Sequence, residues 1–421
     1  MSLTERDAQT IWHPYTQQFR AKSPLPIVRG EGCYLYDEHN RKYIDAVSSW
    51  WVTLHGHSHP YIVKRVCEQL KKLDQVIFAG FTHEPAIRLA ENLLTLLPCR
   101  QQKVFYTDNG STAVEVALKM CIQYWYNKVT PRKKILAFHN GYHGDTFGAM
   151  SVSGRSAWTA PFDALLFEVI FIDIPREDNL DSLKAIIDLY ADDLACFIYE
   201  PLIQGSAGML MYEAKHLDPL LAYCRRKNIF LIQDEIFTGF GRTGKNFAAD
   251  YLNTPPDIMC FSKGLTGGTM PLGVTTCTLE IYEAFLSEDK MKTLFHGHSF
   301  TANPLACTAA VASLELLLKK HTQDDIKRIC EKHQAFAMKV EGHPRLAAIR
   351  QTGTIIALEW KTESGTSYFS DLRNKLYDFF LSEGILMRPL GNVIYVLPPY
   401  CISNADLDYV YGQIEQALEI F

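Results

Sequence analysis

From residue 86 onward the chain alternates two hydrophobic periods. "AIRLAENLLTLL" repeats apolar residues at helical spacing, "KVFYTD" is a short run of strand length, and "STAVEVALKMCIQYW" extends over several turns of an amphipathic helix. The runs "KILAFHN" (134–140), "ACFIYEP" (195–201), "NIFLIQDE" (228–235) and "DIMCFS" (257–262) lack polar alternation, and helical stretches such as "LDSLKAIIDLYADD" and "LDPLLAYCRRK" separate them. A strand that is apolar on both faces must be covered on both faces, so the pattern predicts an α/β fold around a largely parallel sheet. Beyond residue 310 the rhythm changes to two long helices, then the short strands "IIALEW", "ILMRPL" and "VIYVLP" and a final helix. This predicts a large α/β domain over 71–310, a smaller α+β domain over 311–421, and an N-terminal segment, 1–70, packing with the small one.

Composition narrows the partners. Of 421 residues, 47% are hydrophobic and 21% charged, the balance of a globular chain. A formal charge of -5 offers no basic excess for a phosphate backbone, so nucleic acid is not expected. The eleven cysteines are odd in number and form no Cys-x-x-Cys pair, which reads as reduced, mostly buried thiols. The opening "MSLTERDAQTIWHP" lacks the apolar core of a signal peptide and no stretch approaches about 18 apolar residues, so a cytoplasmic protein is expected.

In open α/β sheets ligands sit beyond the carboxyl ends of the strands, and several residues there carry suggestive chemistry. After "KVFYTD", Gly110 and Ser111 open a helix whose free N–H groups favour a phosphate; capping by Asn109 or Ser111 is the plain alternative. After "KILAFHN", Tyr142 stands between glycines, free to cover a planar ligand or to decorate a surface turn. Asp234 and Glu235 end an oily run, and Lys263 lies between a buried strand and the glycine-rich "GLTGG". Together these parts describe a cradle for pyridoxal 5'-phosphate. That cofactor withdraws electrons best with its ring nitrogen protonated, and a carboxylate at 234 favours the cation. A salt bridge from Asp234 to Arg242 is the competing reading.

"LIQDEIFTGFGRTG", followed about thirty residues later by "FSKGLTGGTMPLG", closely resembles the signature of class III aminotransferases of fold type I. Within that family, "IWHPYTQ", "VSSWWVTLHGHSHP", "HGHSFTANPLAC" and "RPLGNVIYVLPPY" are similar to the branch that aminates 8-amino-7-oxononanoate with S-adenosylmethionine in biotin synthesis. The resemblance implies that Lys263 bonds the cofactor covalently and serves as the proton carrier, that Asp234 meets the pyridine nitrogen, that Gly110 and Ser111 hold the phosphate, and that Tyr142 stacks on the ring. It implies a homodimer in which His298 and Ser299 reach the neighbouring subunit's cofactor phosphate. Some members carry Pro-Thr where this chain has His298 and Ser299, which keeps the hydroxyl and adds an imidazole. Trp50, Gly297 and Arg388 would contact substrate, Arg388 through its carboxylate, and Tyr15 would help admit the donor.

A sulfonium and an adenine suit an aromatic pocket of Tyr15, Trp50, Trp51 and Tyr142. Neighbouring residues on a strand face opposite ways, so Trp51 is expected in the core. His55, His57 and His59 have a spacing that a metal site could use, but no acidic or thiol partner is near in sequence and no metal is expected. The rivals are an ω-amino acid:pyruvate or 4-aminobutyrate transaminase of the same family, lysine as donor, and a non-catalytic pyridoxal-phosphate-binding regulator.

Overall fold

The computed structural model describes residues 1–98, 100–363, 365 and 370–421. Seven strands make the central sheet: β1 (Gln101–Thr107), β2 (Lys134–Phe138), β3 (Ile170–Ile172), β4 (Leu194–Tyr199), β5 (Phe230–Asp234), β6 (Ile258–Phe261) and β7 (Gly273–Thr278). Their order is β1-β7-β6-β5-β4-β2-β3. All run parallel except β7, which is antiparallel to both of its neighbours.

Every residue of β4 and β5 is buried, and the two-residue strand period divides them between two layers. Ile135, Ala137, Cys196 and Ile198 pack with Ala113, Val116 and Ala117 of the helix Gly110–Asn127. Leu136, Phe138, Phe197 and Tyr199 pack with Leu217, Leu220 and Leu221 of the helix Ala214–Arg226 and with Leu183 and Ile187 of the helix Leu180–Tyr190. The expected mostly parallel α/β sheet is therefore present, with both faces covered.

Two smaller sheets flank it. Leu346–Thr352, Ile355–Trp360 and Val393–Val396 form an antiparallel sheet, and Ile27–Glu31, Tyr34–Asp37 and Lys42–Asp45 form another, to whose third strand Ile385–Leu386 adds in parallel. The segment expected to be a strand through "ILMRPL" is thus a strand only at its first two residues. The described cysteines are free thiols and mostly buried, while Cys99 lies outside the described residues. No described helix is long and apolar enough to cross a membrane.

Candidate active site

The parallel strands β1, β2, β4, β5 and β6 end at one edge, and the residues that follow them meet there. Asp234 ends β5; its Oδ1 accepts the Ile236 N–H at 3.0 Å and its Oδ2 lies 2.7 Å from Nδ1 of His143. Glu235 turns the other way and accepts from Gln233 Nε2, the Thr238 hydroxyl and the Ala249 N–H. Two adjacent acids thus serve different ends: Glu235 ties a loop, and Asp234 faces the strand edge. Arg242 does not pair with Asp234. Its guanidinium donates to the carbonyls of Thr53 and Pro398 and lies 5.3 Å from the Tyr400 ring.

Lys263 follows β6 in a left-handed conformation, φ 46°, and its amine lies 4.7 Å from the Trp51 ring and 5.5 Å from the Phe237 ring. Among the described residues no acceptor hydrogen-bonds this amine. Burial lowers it to about 8, against the pull of the Asp234 and Glu200 carboxylates. Glu200, just past β4, accepts the N–H groups of Tyr142 and Gly205 and is pushed up to about 7, by burial first and then by Asp234.

At the end of β1, Asn109 caps the helix Gly110–Asn127 by accepting the Thr112 N–H. The N–H groups of Gly110 and Ser111 have no acceptor among the described residues. The turn at Gly144 closes on them at φ +131°, where an added Cβ would stand 2.1 Å from the Ser111 hydroxyl. Glu115 Oε1 pins the same turn by accepting from Thr146, Gly148 and Ala149. These parts fit pyridoxal phosphate: an amine without an acceptor, a buried carboxylate held by histidine, two free N–H groups at a helix start, and a turn that only glycine lets approach them.

A cavity of about 890 Å³ opens over Lys263 and Tyr142 and is walled by Tyr15, Trp50, Trp51 and Arg388. Trp50 and Trp51 do not sit on a strand. They lie in an irregular turn, Ser48–Trp51, so strand alternation is not what separates them. Trp51 is buried as expected, with its indole N–H on the Tyr395 hydroxyl at 2.9 Å, yet it also faces the cavity. Trp50 is 40% exposed and carries Arg388 4.3 Å above its ring. Tyr15 donates to Asp145 Oδ2 at 2.6 Å and meets the rings of Trp50 and Trp158 edge-on.

Gly297, His298 and Ser299 are not brought to this cavity. Gly297 and Ser299 are exposed, and His298 joins a chain of contacts that ends beside the helix start: Lys119 Nζ to His296 Nδ1 at 3.0 Å, His296 Nε2 to His298 Nε2 at 2.9 Å, and His298 Nδ1 to Asp108 at 3.4 Å. Of the three spaced histidines, His55 and His59 stay edge to face at 6.2 Å, with His55 also on Ser313 and His59 capping the helix Pro60–Leu70, while His57 turns away to lie 2.8 Å from Asp45, an acidic partner that local sequence did not reveal. Sequence reasoning also missed His143, Glu200, Asp145 and Trp158. Of these, His143 and Asp145 follow Tyr142 directly in "GYHGD", and Glu200 lies within the apolar run "ACFIYEP".

Residues 16–418 match the family model described as aminotransferase class-III. An adenosylmethionine-8-amino-7-oxononanoate aminotransferase of Synechococcus elongatus is 44% identical, covering 97% of this chain and 98% of its own. The crystal structure of the enzyme so named from Methanocaldococcus jannaschii superposes with a TM-score of 0.95 at 37% identity, over 99% of this chain and 98% of the other. An omega transaminase of Pseudomonas jessenii in complex with PMP superposes at 0.93 and 26% identity, over 100% and 98%. Matched over nearly its whole length, the chain belongs to the class III aminotransferases, pyridoxal-phosphate enzymes of fold type I.

Proposed function

We propose that this aminotransferase moves an amino group from S-adenosylmethionine to the ketone of 8-amino-7-oxononanoate, giving 7,8-diaminononanoate for biotin synthesis. The observation that carries the reading is the placement of Arg388, a guanidinium on the wall of the same cavity as Lys263, over the Trp50 ring, in a space of about 890 Å³ that has room for an adenosyl donor. The name borne by relatives that match nearly the whole chain supports it.

Lys263 would hold the cofactor covalently, Asp234 its ring nitrogen, Gly110 and Ser111 its phosphate, and Tyr142 its ring face. When bound, the group supplies an electron sink for the carbon that loses a proton. The residues do the rest. His143 fixes the Asp234 carboxylate in place, so that its charge would favour a protonated ring nitrogen in the bound cofactor. The Lys263 amine, lowered to about 8, has a neutral fraction near neutral pH and takes a proton from the donor's Cα. In the second half it returns a proton to the acceptor's C7. Arg388 pairs with the acceptor's carboxylate in a bidentate way and sets its distance from that amine.

The same reading makes the enzyme a cytoplasmic homodimer with Gly297, His298 and Ser299 serving the partner's site. Supporting this, Gln75 Nε2 donates to the Ser299 carbonyl and Asn303 Nδ2 to Asp74 and Gln75, and Ile77, Phe81 and Phe300, close to these residues in sequence, are each at least 60% exposed. Residues 1–70 and 311–421 make up the small lobe in this reading, and Ile385–Leu386 pairs with Lys42–Asp45 across it.

The test is direct. Purified protein should form 7,8-diaminononanoate, detected by mass spectrometry, from 8-amino-7-oxononanoate with S-adenosylmethionine, and Lys263→Ala should cut this by at least about a thousandfold. Transfer to pyruvate or 2-oxoglutarate but not to 8-amino-7-oxononanoate would replace the reading with a different substrate class, and lysine in place of S-adenosylmethionine would replace the donor.

A further inference from the structure

We propose that Trp158 selects the amino donor by closing an aromatic cage around its sulfonium cation, an inference that rests on the S-adenosylmethionine reading above. The cavity has two electrical ends. At one, Arg388 already covers the Trp50 ring at 4.3 Å, so a second cation there meets like charge. The other guanidinium on the wall, that of Arg155, is turned into the protein, where Nη1 donates to the carbonyls of Met150, Ser151 and Ser153. Tyr15 stands between the two indoles, its ring 5.9 Å from Trp50 and 5.6 Å from Trp158, both at 67°. Its hydroxyl is bound to the Asp145 carboxylate at 2.6 Å. Past Tyr15, then, the wall offers an indole and a nearby negative charge.

Trp158 is 37% exposed, and its backbone is held by a tight turn: its N–H donates to the Ser156 hydroxyl at 3.2 Å, and the Thr159 hydroxyl bridges the N–H and carbonyl of Ser156. A sulfonium has no N–H to donate, so hydrogen-bond acceptors cannot recognise it as they recognise an ammonium. An aromatic face can, through its quadrupole, and tryptophan offers the strongest. A carboxylate at the edge of the cage strengthens the attraction without a directional bond. The two ends then divide the work: Arg388 takes the carboxylate-bearing acceptor, and Trp158 with Tyr15 takes the cationic donor.

The experiment follows the first half-reaction of the holoenzyme by cofactor absorbance with S-adenosylmethionine, and measures S-adenosylhomocysteine, the uncharged thioether of similar shape, as a competitor. Trp158→Ala should raise the half-saturating concentration of S-adenosylmethionine about tenfold, with its limiting rate and the competition constant of the thioether changed less than about twofold, and Trp158→Phe should recover most of the loss. An unchanged half-saturation, or equal losses for the sulfonium and the thioether, would overturn the cage and leave the donor reading standing. A wild-type enzyme that does not react with S-adenosylmethionine at all would overturn both.

Discussion

Buried charge near Lys263 has a consequence that can be measured without substrate. Glu200 and Glu235 are each pushed up to about 7 by burial, from an ordinary 4.5, so the folded chain holds more protons than the unfolded one between about pH 4.5 and 7. Stability contributed by these groups therefore falls as pH rises through that window. Lys263 has the opposite sign. Lowered to about 8 from 10.5, it holds fewer protons when folded, so stability rises as pH climbs from about 8 to 10.5. In urea unfolding of the cofactor-free protein, His55 and His333, lowered to about 3 by burial, oppose the fall from the glutamates, so Glu200 shows itself as the difference between the unsubstituted chain and Glu200→Gln at pH 5 and at pH 7. At about 1.4 kcal/mol per unit, the advantage of the unsubstituted chain over Glu200→Gln should shrink by about 2 kcal/mol between pH 5 and pH 7. An unchanged difference would mean that Glu200 is ionised in the folded chain throughout.

Among elements, the turn over the helix start has no room for a methyl group. Gly144→Ala combines a left-handed backbone with a contact of 2.1 Å to Ser111, whereas Gly342→Ala, at φ +74°, meets nothing within 4 Å. Both changes should cost about 1 to 2 kcal/mol of backbone strain. Only Gly144→Ala should also weaken pyridoxal phosphate binding by about tenfold or more in a spectrophotometric titration, because it alone lifts the turn from the phosphate donors.

The same elements show what could be read from sequence. The strands β4 and β5 and the turn carrying Lys263 were legible because continuous apolar runs followed by a charge are unusual, and burial explains both. The strand β7 was not, since "GVTTCT" is half threonine; its hydroxyls are satisfied at a distance, Thr275 on the Ala113 carbonyl and Thr276 on Gln101. His143 was hidden for a similar reason, its partner Asp234 being 91 residues away. The pairing of Trp50 with Arg388 and of Trp51 with Tyr395 joins opposite ends of the chain, which no local pattern reports.

At the scale of the whole molecule, exposed Ile77, Phe81 and Phe300 predict self-association. Sedimentation equilibrium should give twice the 47.9 kDa of the chain, and Phe81→Asp combined with Phe300→Asp should give monomers that lose cofactor phosphate affinity as well as transamination. Monomers with unchanged cofactor affinity would mean that the loop carrying His298 and Ser299 serves no neighbouring site.

The cavity is built from both termini at once: Tyr15 and Trp50 come from the first fifty residues, and Arg388 and Tyr395 from the last forty. The Ser48 hydroxyl on the Leu397 carbonyl and Arg242 on that of Pro398 fasten this closure. Loosening that one seam would therefore open the substrate side of the cavity while leaving Asp234 at the end of β5 and Lys263 just after β6.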